Sequence, residues 1–234
     1  MSRNGRIVVV ATLAVWIAQP IGAGGDDSTR TPRDAGAKPA AAVASQSVVY
    51  RPPVRGRPRA RVGGGVRGLS SNAPDVRALV PDHAGRTAWG RPVLLWYLGA
   101  PLPDDTSVLF TLLDEDGIDP ILEVVLPAPT HTGIQRIDLA KRGVELSTDV
   151  EYVWTLSLVG ASQGVDHVSS GGWIERVPLP ASSAAPGDVR DLAASGLWYD
   201  AIAAAEDAVR ADPSDDGARG VLASLLEQVG LKFD

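Results

Sequence analysis

Five arginines, Arg55, Arg57, Arg59, Arg61 and Arg67, stand close together, separated by Gly, Pro, Ala and Val. A guanidinium donates hydrogen bonds in a planar fork that matches a carboxylate or phosphate, and flexible glycines let such groups close on an anion. The pattern is a candidate site for an anionic glycan, a cell-wall polymer or an acidic partner. The same segment carries Gly63, Gly64, Gly65 and Gly68, of which Gly63, Gly65 and Gly68 satisfy G-x-G-x-x-G. In a dinucleotide site that loop follows a buried strand and opens a helix whose N-terminus holds the pyrophosphate. Here it follows Arg59-Ala60-Arg61-Val62 and precedes Leu69-Ser70-Ser71-Asn72-Ala73-Pro74, and neither flank fits. The four glycines are therefore read as structural, in an extended arm that pairs with the rest of the chain.

Other chemistry is sparse. His83, His131 and His167 fall in three separate loops, none at metal-ligand spacing. Cysteine is absent, which removes disulfides, thiolate metal sites and thiol nucleophiles. Asp114, Asp116 and Asp119 suggest a calcium loop, but the later Glu and flanking helices of an EF-hand are missing, and Asp114-Glu115-Asp116-Gly117 reads better as a hairpin turn. Ser169 and Ser170 lie near His167 only along one strand. No G-x-S-x-G elbow, Walker loop or H-E-x-x-H occurs. The expectation is a protein without catalytic residue, metal or cofactor. A hydrolase is the outlying alternative, and it would need carboxylates or histidines to converge in one cleft.

The charge that surrounds these residues is uneven. Residues 50–68 hold six Arg and no acid, whereas residues 69–234 hold eleven Lys and Arg against twenty-five Asp and Glu. A basic arm is thus joined to an acidic body, and the two attract at short range. An acidic body argues against nucleic acid as a partner. Residues 1–24 have the features of a secretory signal: Arg3 and Arg6, an apolar run from Ile7 to Ala18, a break at Gln19-Pro20, then Ile21-Gly22-Ala23-Gly24. Twelve apolar residues are too few to span a bilayer comfortably. The expected location is periplasmic or secreted, with membrane contact only through the signal segment. Residues 25–47, rich in Ala, Gly, Pro, Asp and Thr, read as a disordered linker.

Beyond the arm the hydrophobic period is two. Strands are expected at 93–98, 108–113, 121–126, 134–139, 150–159 and 169–177, with a short strand or turn at 76–80 and a loop over 87–92. Turns at even intervals and no helix among them predict a two-sheet antiparallel sandwich over 48–178. In the longest strand Tyr152, Trp154, Leu156 and Leu158 share one face, and Val153, Thr155, Ser157 and Val159 the other. Leu146, a turn at Asp149 and Tyr152 match the tyrosine corner of immunoglobulin-like sandwiches. Tyr152, Trp154 and Trp173 are accordingly assigned structural roles.

After a short linker at 179–187 the period becomes about 3.6. Asp188 is the expected N-cap of a first helix. Trp198, Ile202, Ala205 and Val209 share a face of a second, which Pro213 stops; Ser214 or Asp215 caps a third, with Leu222, Leu225, Leu226 and Val229 on one face and Gly230 at its end. Leu192-Ala193-Ala194-Ser195-Gly196-Leu197 returns as Leu226-Glu227-Gln228-Val229-Gly230-Leu231, an offset of 34 residues, which is the tetratricopeptide period. About one and a half repeats cannot cover their own apolar faces. Residues 188–234 must dock on the sandwich or on a partner. Trp198 and Tyr199 are the candidate partner-binding corner. The predicted fold is mainly β with a C-terminal α unit: an immunoglobulin-like antiparallel β-sandwich followed by a tetratricopeptide-like segment.

The motifs Arg61-Val62-Gly63-Gly64-Gly65-Val66-Arg67-Gly68, Pro92 to Tyr97, Leu113-Asp114-Glu115-Asp116-Gly117, Tyr152-Val153-Trp154, Gly172-Trp173-Ile174-Glu175-Arg176-Val177 and Gly196-Leu197-Trp198-Tyr199-Asp200-Ala201 resemble, in order, those of the bacterial family known as domain of unknown function 928, common in cyanobacteria. The resemblance covers about residues 48–231. It implies an exported bacterial protein and no particular activity. The functional expectation is a non-catalytic interaction module of the cell envelope with an unidentified protein partner, with binding of an anionic glycan through the arginine arm as the alternative.

Overall fold

The computed structural model describes residues 47–53, 60–63, 75–160, 169–179 and 187–232, all within one compact unit, Ser45–Asp234. The expected leader, most of the linker, Arg55, Arg57, Arg59, Arg67, Gly64, Gly65, Gly68 and His167 lie outside the described residues. The chain is mainly antiparallel β with a C-terminal helical region. Among the described residues nine strands come first: β1 (Val62–Gly63), β2 (Val76–Ala78), β3 (Gly85–Thr87), β4 (Val93–Leu98), β5 (Thr106–Asp114), β6 (Leu122–Leu126), β7 (Gly133–Asp138), β8 (Glu151–Gly160) and β9 (Ser169–Arg176). Three helices follow: α1 (Val189–Ala194), α2 (Trp198–Ala211) and α3 (Asp216–Gln228).

The strands form two sheets. The larger runs β1-β9-β8-β5-β6, and β3 also pairs with β9; the smaller runs β2-β4-β7. β8 is central in the larger sheet, in register with β5 from Asp114↔Tyr152 to Thr106↔Gly160 and with β9 from Glu151↔Glu175 to Ser157↔Ser169. Its alternation is expressed fully. Tyr152, Trp154, Leu156 and Leu158 are buried, while Val159 on the opposite face is half exposed. A one-residue slip would turn that aromatic and leucine row to solvent, so the pattern fixes the register. Leu94, Leu95 and Trp96 of β4 and Ile137 of β7 join the same apolar cluster as β8, and so do Trp198, Ile202 and Leu225 of the helices.

The corner before β8 has the expected geometry. Tyr152 OH accepts a hydrogen bond from Ser147 N at 2.8 Å, and Asp149 adopts a left-handed φ of 61° to make the turn. One strand departs from expectation. The loop expected over 87–92 is preceded by β3, which pairs parallel to β9 through Gly85↔Ile174, Arg86↔Glu175 and Thr87↔Arg176. The chain leaves the smaller sheet after β2 and crosses to the larger one within a few residues. Three residues of Gly, Arg and Thr carry no period, so the pairing is imposed by the edge of β9 rather than by local pattern.

Helices α1 and α3 end alike. Leu197 N donates to Leu192 O at 3.0 Å across Gly196 (φ 76°), and Leu231 N donates to Leu226 O at 2.9 Å across Gly230 (φ 74°). Both are the six-to-one closure of a Schellman cap, in which a left-handed residue is least strained as glycine. The 34-residue sequence repeat is thus a repeat of local structure. Asp215 caps α3 by accepting from Gly217 N and Ala218 N. Asp188 precedes α1 as expected, but its side chain makes no cap bond there. Among the described residues no helix is long and apolar enough to cross a membrane.

Candidate functional site

The candidate partner-binding corner, Trp198 and Tyr199, is not a surface. Trp198 is 0% and Tyr199 1% exposed. Consecutive helical residues point about 100° apart, so a helix lying on a sheet buries only one in three or four. Here Trp198, Tyr199, Asp200, Ala201 and Ile202 are all buried, because the first turn of α2 is covered on more than one face, by strand segments and by the ring of Tyr50. Each polar tip finds a different strand segment. Trp198 Nε1 donates to Leu79 O at 2.9 Å. Tyr199 OH donates to Trp173 O at 2.9 Å and accepts from Trp154 Nε1 at 2.9 Å. Asp200 accepts from Thr87 Oγ1 at 2.5 Å and from Ala88 N at 2.7 Å. Burial pushes the Asp200 carboxyl up to about 6, against these two hydrogen bonds, which favour the charged form. Burial also raises the Tyr199 phenol. The corner fastens the helical region to the strands, and Trp154 and Trp173 take part in the same fastening.

Sequence reasoning missed Asp200. Its neighbours Trp198 and Tyr199 were expected in a partner-binding corner, and nothing in the hydrophobic period announces a buried carboxylate. A second fastening joins β7 to α2: Arg136 pairs with Glu206, which is 7% exposed, and with Asp207 at 2.8 Å.

The arginine arm is visible at one candidate residue. Arg61 does not face outward. Its Nε donates to Val80 O at 2.8 Å and its guanidinium also reaches Val229 O at the end of α3. Burial lowers its pKa. A guanidinium committed to two backbone carbonyls is a brace, so Arg61 is removed from the anion-binding set. Gly63 is paired opposite Ser170 on β9 with φ 78°, and a Cβ built there would stand 1.8 Å from Ser169 O. Only glycine fits, and the residue acts in pairing.

Where the arm begins, residues 47–53 cross the helices as a strap. Gln228 reads its backbone with both ends of one amide: Oε1 accepts from Tyr50 N at 2.8 Å, and Nε2 donates to Val48 O at 2.9 Å. Arg51 N donates to Ala193 O at 3.0 Å. Tyr50 packs edge-on against Trp198, with ring centroids 5.0 Å apart, and its hydroxyl lies 2.8 Å from His83 Nε2. His83 therefore serves the strap, while His131 sits in the loop between β6 and β7.

Open recesses occur among the described residues. Asp114, Glu115, Asp116, Asp149 and Glu151 line one of about 210 Å³. Asp114 turns back onto Gly117, whose Cβ position is 2.1 Å from Asp114 Oδ1, as a hairpin turn requires. Among the described residues no group of three or more His, Cys, Asp or Glu is arranged to hold a metal ion. A second recess, of about 150 Å³, lies beside Val48 between the helices. The third is the largest of these, about 460 Å³, along α3 beside Val209 of α2, lined by Val209, Leu222, Ala223, Leu226 and Leu231 with Arg219, Glu227 and Lys232.

In comparison with known proteins, the chain is similar to the fn3 domain of the human collagen alpha-1(XX) chain, at 13% identity and a TM-score of 0.27, over 54% of this chain and 99% of that one. It is similar also to a solved structure described as "Myokine structure", at 14% identity and a TM-score of 0.25, over 47% of this chain and 100% of that one. TM-scores this low carry no argument. No curated protein matches the sequence. The family model described as Domain of Unknown Function (DUF928) matches residues 62–233, from β1 to the end of the helical region. The chain is a member of the DUF928 family.

Proposed function

We propose that this chain is an exported envelope protein, an immunoglobulin-like sandwich extended by tetratricopeptide-like helices, that works as a non-catalytic interaction module. The observation that carries the reading is the apolar recess along α3 beside Val209 of α2. With the Trp198–Tyr199 corner committed inward, this recess is the larger of the two described at the helices. Its floor is aliphatic and its rim carries Arg219, Lys232 and Glu227, the composition of a groove for an amphipathic helix with a mixed polar edge. The two-sheet strand order and the Tyr152 corner support the sandwich part of the reading. The shared cap of Leu192–Leu197 and Leu226–Leu231 supports the repeat part. Arg3, Arg6 and the apolar run that follows support export.

A photo-crosslinking residue at exposed Ala223, with a second chain carrying it at Ile118, 93% exposed and in the β5–β6 turn, tests this in the living cell. A discrete adduct from position 223 that is absent from position 118 is expected. The same pattern from both positions, or none from 223, overturns it. The unequal charge of residues 50–68 and 69–234 keeps the second reading, binding of an anionic glycan by Arg55, Arg57, Arg59 and Arg67. That reading requires an affinity that falls with salt and disappears when the four become Ala.

A further inference from the structure

Tyr50 and His83 stand at the outer end of a line of buried, oxidisable side chains. We infer that they form a one-electron redox site: a diffusible one-electron oxidant of the carbonate-radical class leaves its hole on Tyr50, and the phenol proton passes to His83. The electron goes to the oxidant, directly or through an oxidised indole. The Oη–H bond breaks, an Nε2–H bond forms, and the products are a neutral phenoxyl radical and an imidazolium. A diffusible enediol reductant then returns the electron, and the proton returns from Nε2 to Oη. The inference needs no partner protein and does not depend on the recess along α3.

Three observations carry it. The phenol has a base beside it. Tyr50 Oη lies 2.8 Å from His83 Nε2, and the two rings stack with 10° between their planes. Asp82 Oδ1, 3.4 Å from Nδ1, favours the tautomer protonated at Nδ1, which leaves the Nε2 lone pair to the phenol. Burial raises the pKa of Tyr50, so the phenol keeps its proton until the electron leaves. The side chains of His83 and Asp82 are 22% and 85% exposed, which puts the new positive charge next to water and a carboxylate. The oxidisable groups behind Tyr50 have no such base. Trp198, edge-on to Tyr50 with centroids 5.0 Å apart, donates its indole proton to Leu79 O. Trp154 donates to Tyr199 OH, and Tyr199 to Trp173 O. A carbonyl or a phenol does not take up a proton at neutral pH. Trp198 and Tyr199 are consecutive, so the line runs Trp154, Tyr199, Trp198, Tyr50, and a hole anywhere on it settles where the proton can leave. Finally, the sequence has no Cys, and Met1 is its one Met, against six Trp and four Tyr. Thiols and thioethers are common sites of oxidation. Without them the burden falls on aromatic rings, and a reversible sink at Tyr50 spares the buried indoles.

Laser-flash photoionisation of the tryptophans in the full chain, followed by transient absorption, tests this. The indolyl radical should decay into a phenoxyl radical at a rate independent of protein concentration. Tyr50→Phe keeps the ring against Trp198 and should abolish most of the phenoxyl signal, whereas Tyr97→Phe should leave it unchanged. His83→Gln still accepts from the phenol but is not a base, and should slow the phenoxyl rise by roughly ten-fold or more. A phenoxyl yield unchanged in Tyr50→Phe, or a rise unchanged in a folded His83→Gln chain, overturns the inference. If either variant does not fold, the wild-type chain with ¹⁵N-labelled histidine decides. Electron–nuclear double resonance on the frozen phenoxyl radical should show coupling to a histidine nitrogen. A phenoxyl radical without that coupling, or no phenoxyl radical at all, overturns it.

Discussion

Replacing Asp200 with asparagine separates two opposing effects on one buried carboxylate. Thr87 Oγ1 and Ala88 N both donate to it, and it sits in the first turn of α2, where the helix dipole favours negative charge. Against these stands burial, with 5% of the residue exposed, and burial prevails: the folded pKa is pushed up to about 6 from an ordinary 3.8. A carboxyl whose folded pKa is raised binds protons more readily folded than unfolded between those two values. Its contribution to stability therefore improves as pH falls from about 6 to about 4, and is constant above and below that window. A shift of about two units corresponds to about 3 kcal/mol. Asparagine stays neutral throughout. Its carbonyl still accepts from Ala88 N, and its amide donates to Thr87 Oγ1, which turns from donor to acceptor. We predict that the stability of wild type relative to Asp200→Asn rises by about 2–3 kcal/mol between pH 7.5 and pH 4, most of it between 6 and 4. Urea unfolding followed by tryptophan fluorescence at each pH gives the difference directly, and the other carboxylates cancel between the two chains. A difference that does not change with pH would refute the reasoning. So would one that changes in the opposite sense, which would mean that the hydrogen bonds and helix dipole outweigh burial.

Other perturbations follow from single contacts. Tyr152→Phe removes the acceptor for Ser147 N and should cost about 1–2 kcal/mol in urea unfolding, with the sheet registers kept. Gly63→Ala forces a Cβ against Ser169 O at φ 78°; about 1–3 kcal/mol of destabilisation is expected, together with faster amide exchange in β1. Arg61→Ala leaves Val80 O and Val229 O without their donor. It should lower the unfolding midpoint while leaving the salt dependence of any polyanion binding unchanged, which a heparin column run on both chains will show.

The strands were readable because their side chains alternate over enough residues to fix a face, as Tyr152, Trp154, Leu156 and Leu158 do in β8. The tyrosine corner and the glycine caps were readable because each is a local device with its own residue type. The site was less so. Trp198 and Tyr199 have the composition of an interaction corner, and a helix laid flat on a sheet would expose one of them. Cover of the first turn of α2 on more than one face, by strand segments and by Tyr50, is a tertiary fact with no signature in the 3.6 period. Arg61 was grouped with its neighbours by charge, yet one arginine in such a cluster can be spent as an internal brace. Gln228 and Val48 are remote in sequence, and nothing short of the fold brings an amide on α3 to a strap near the N-terminus.

The aromatic corner at Trp198 and Tyr199 serves the fold. Exchange of the indole N–H protons of Trp198 and Trp154, followed by nuclear magnetic resonance on the labelled chain, tests it without any partner. Both indoles are bonded and fully buried. Both protons should exchange only as slowly as the core amides of β8, at the rate of global unfolding. Exchange of the Trp198 proton at the rate of an exposed indole would contradict the account and return Trp198 and Tyr199 to the surface.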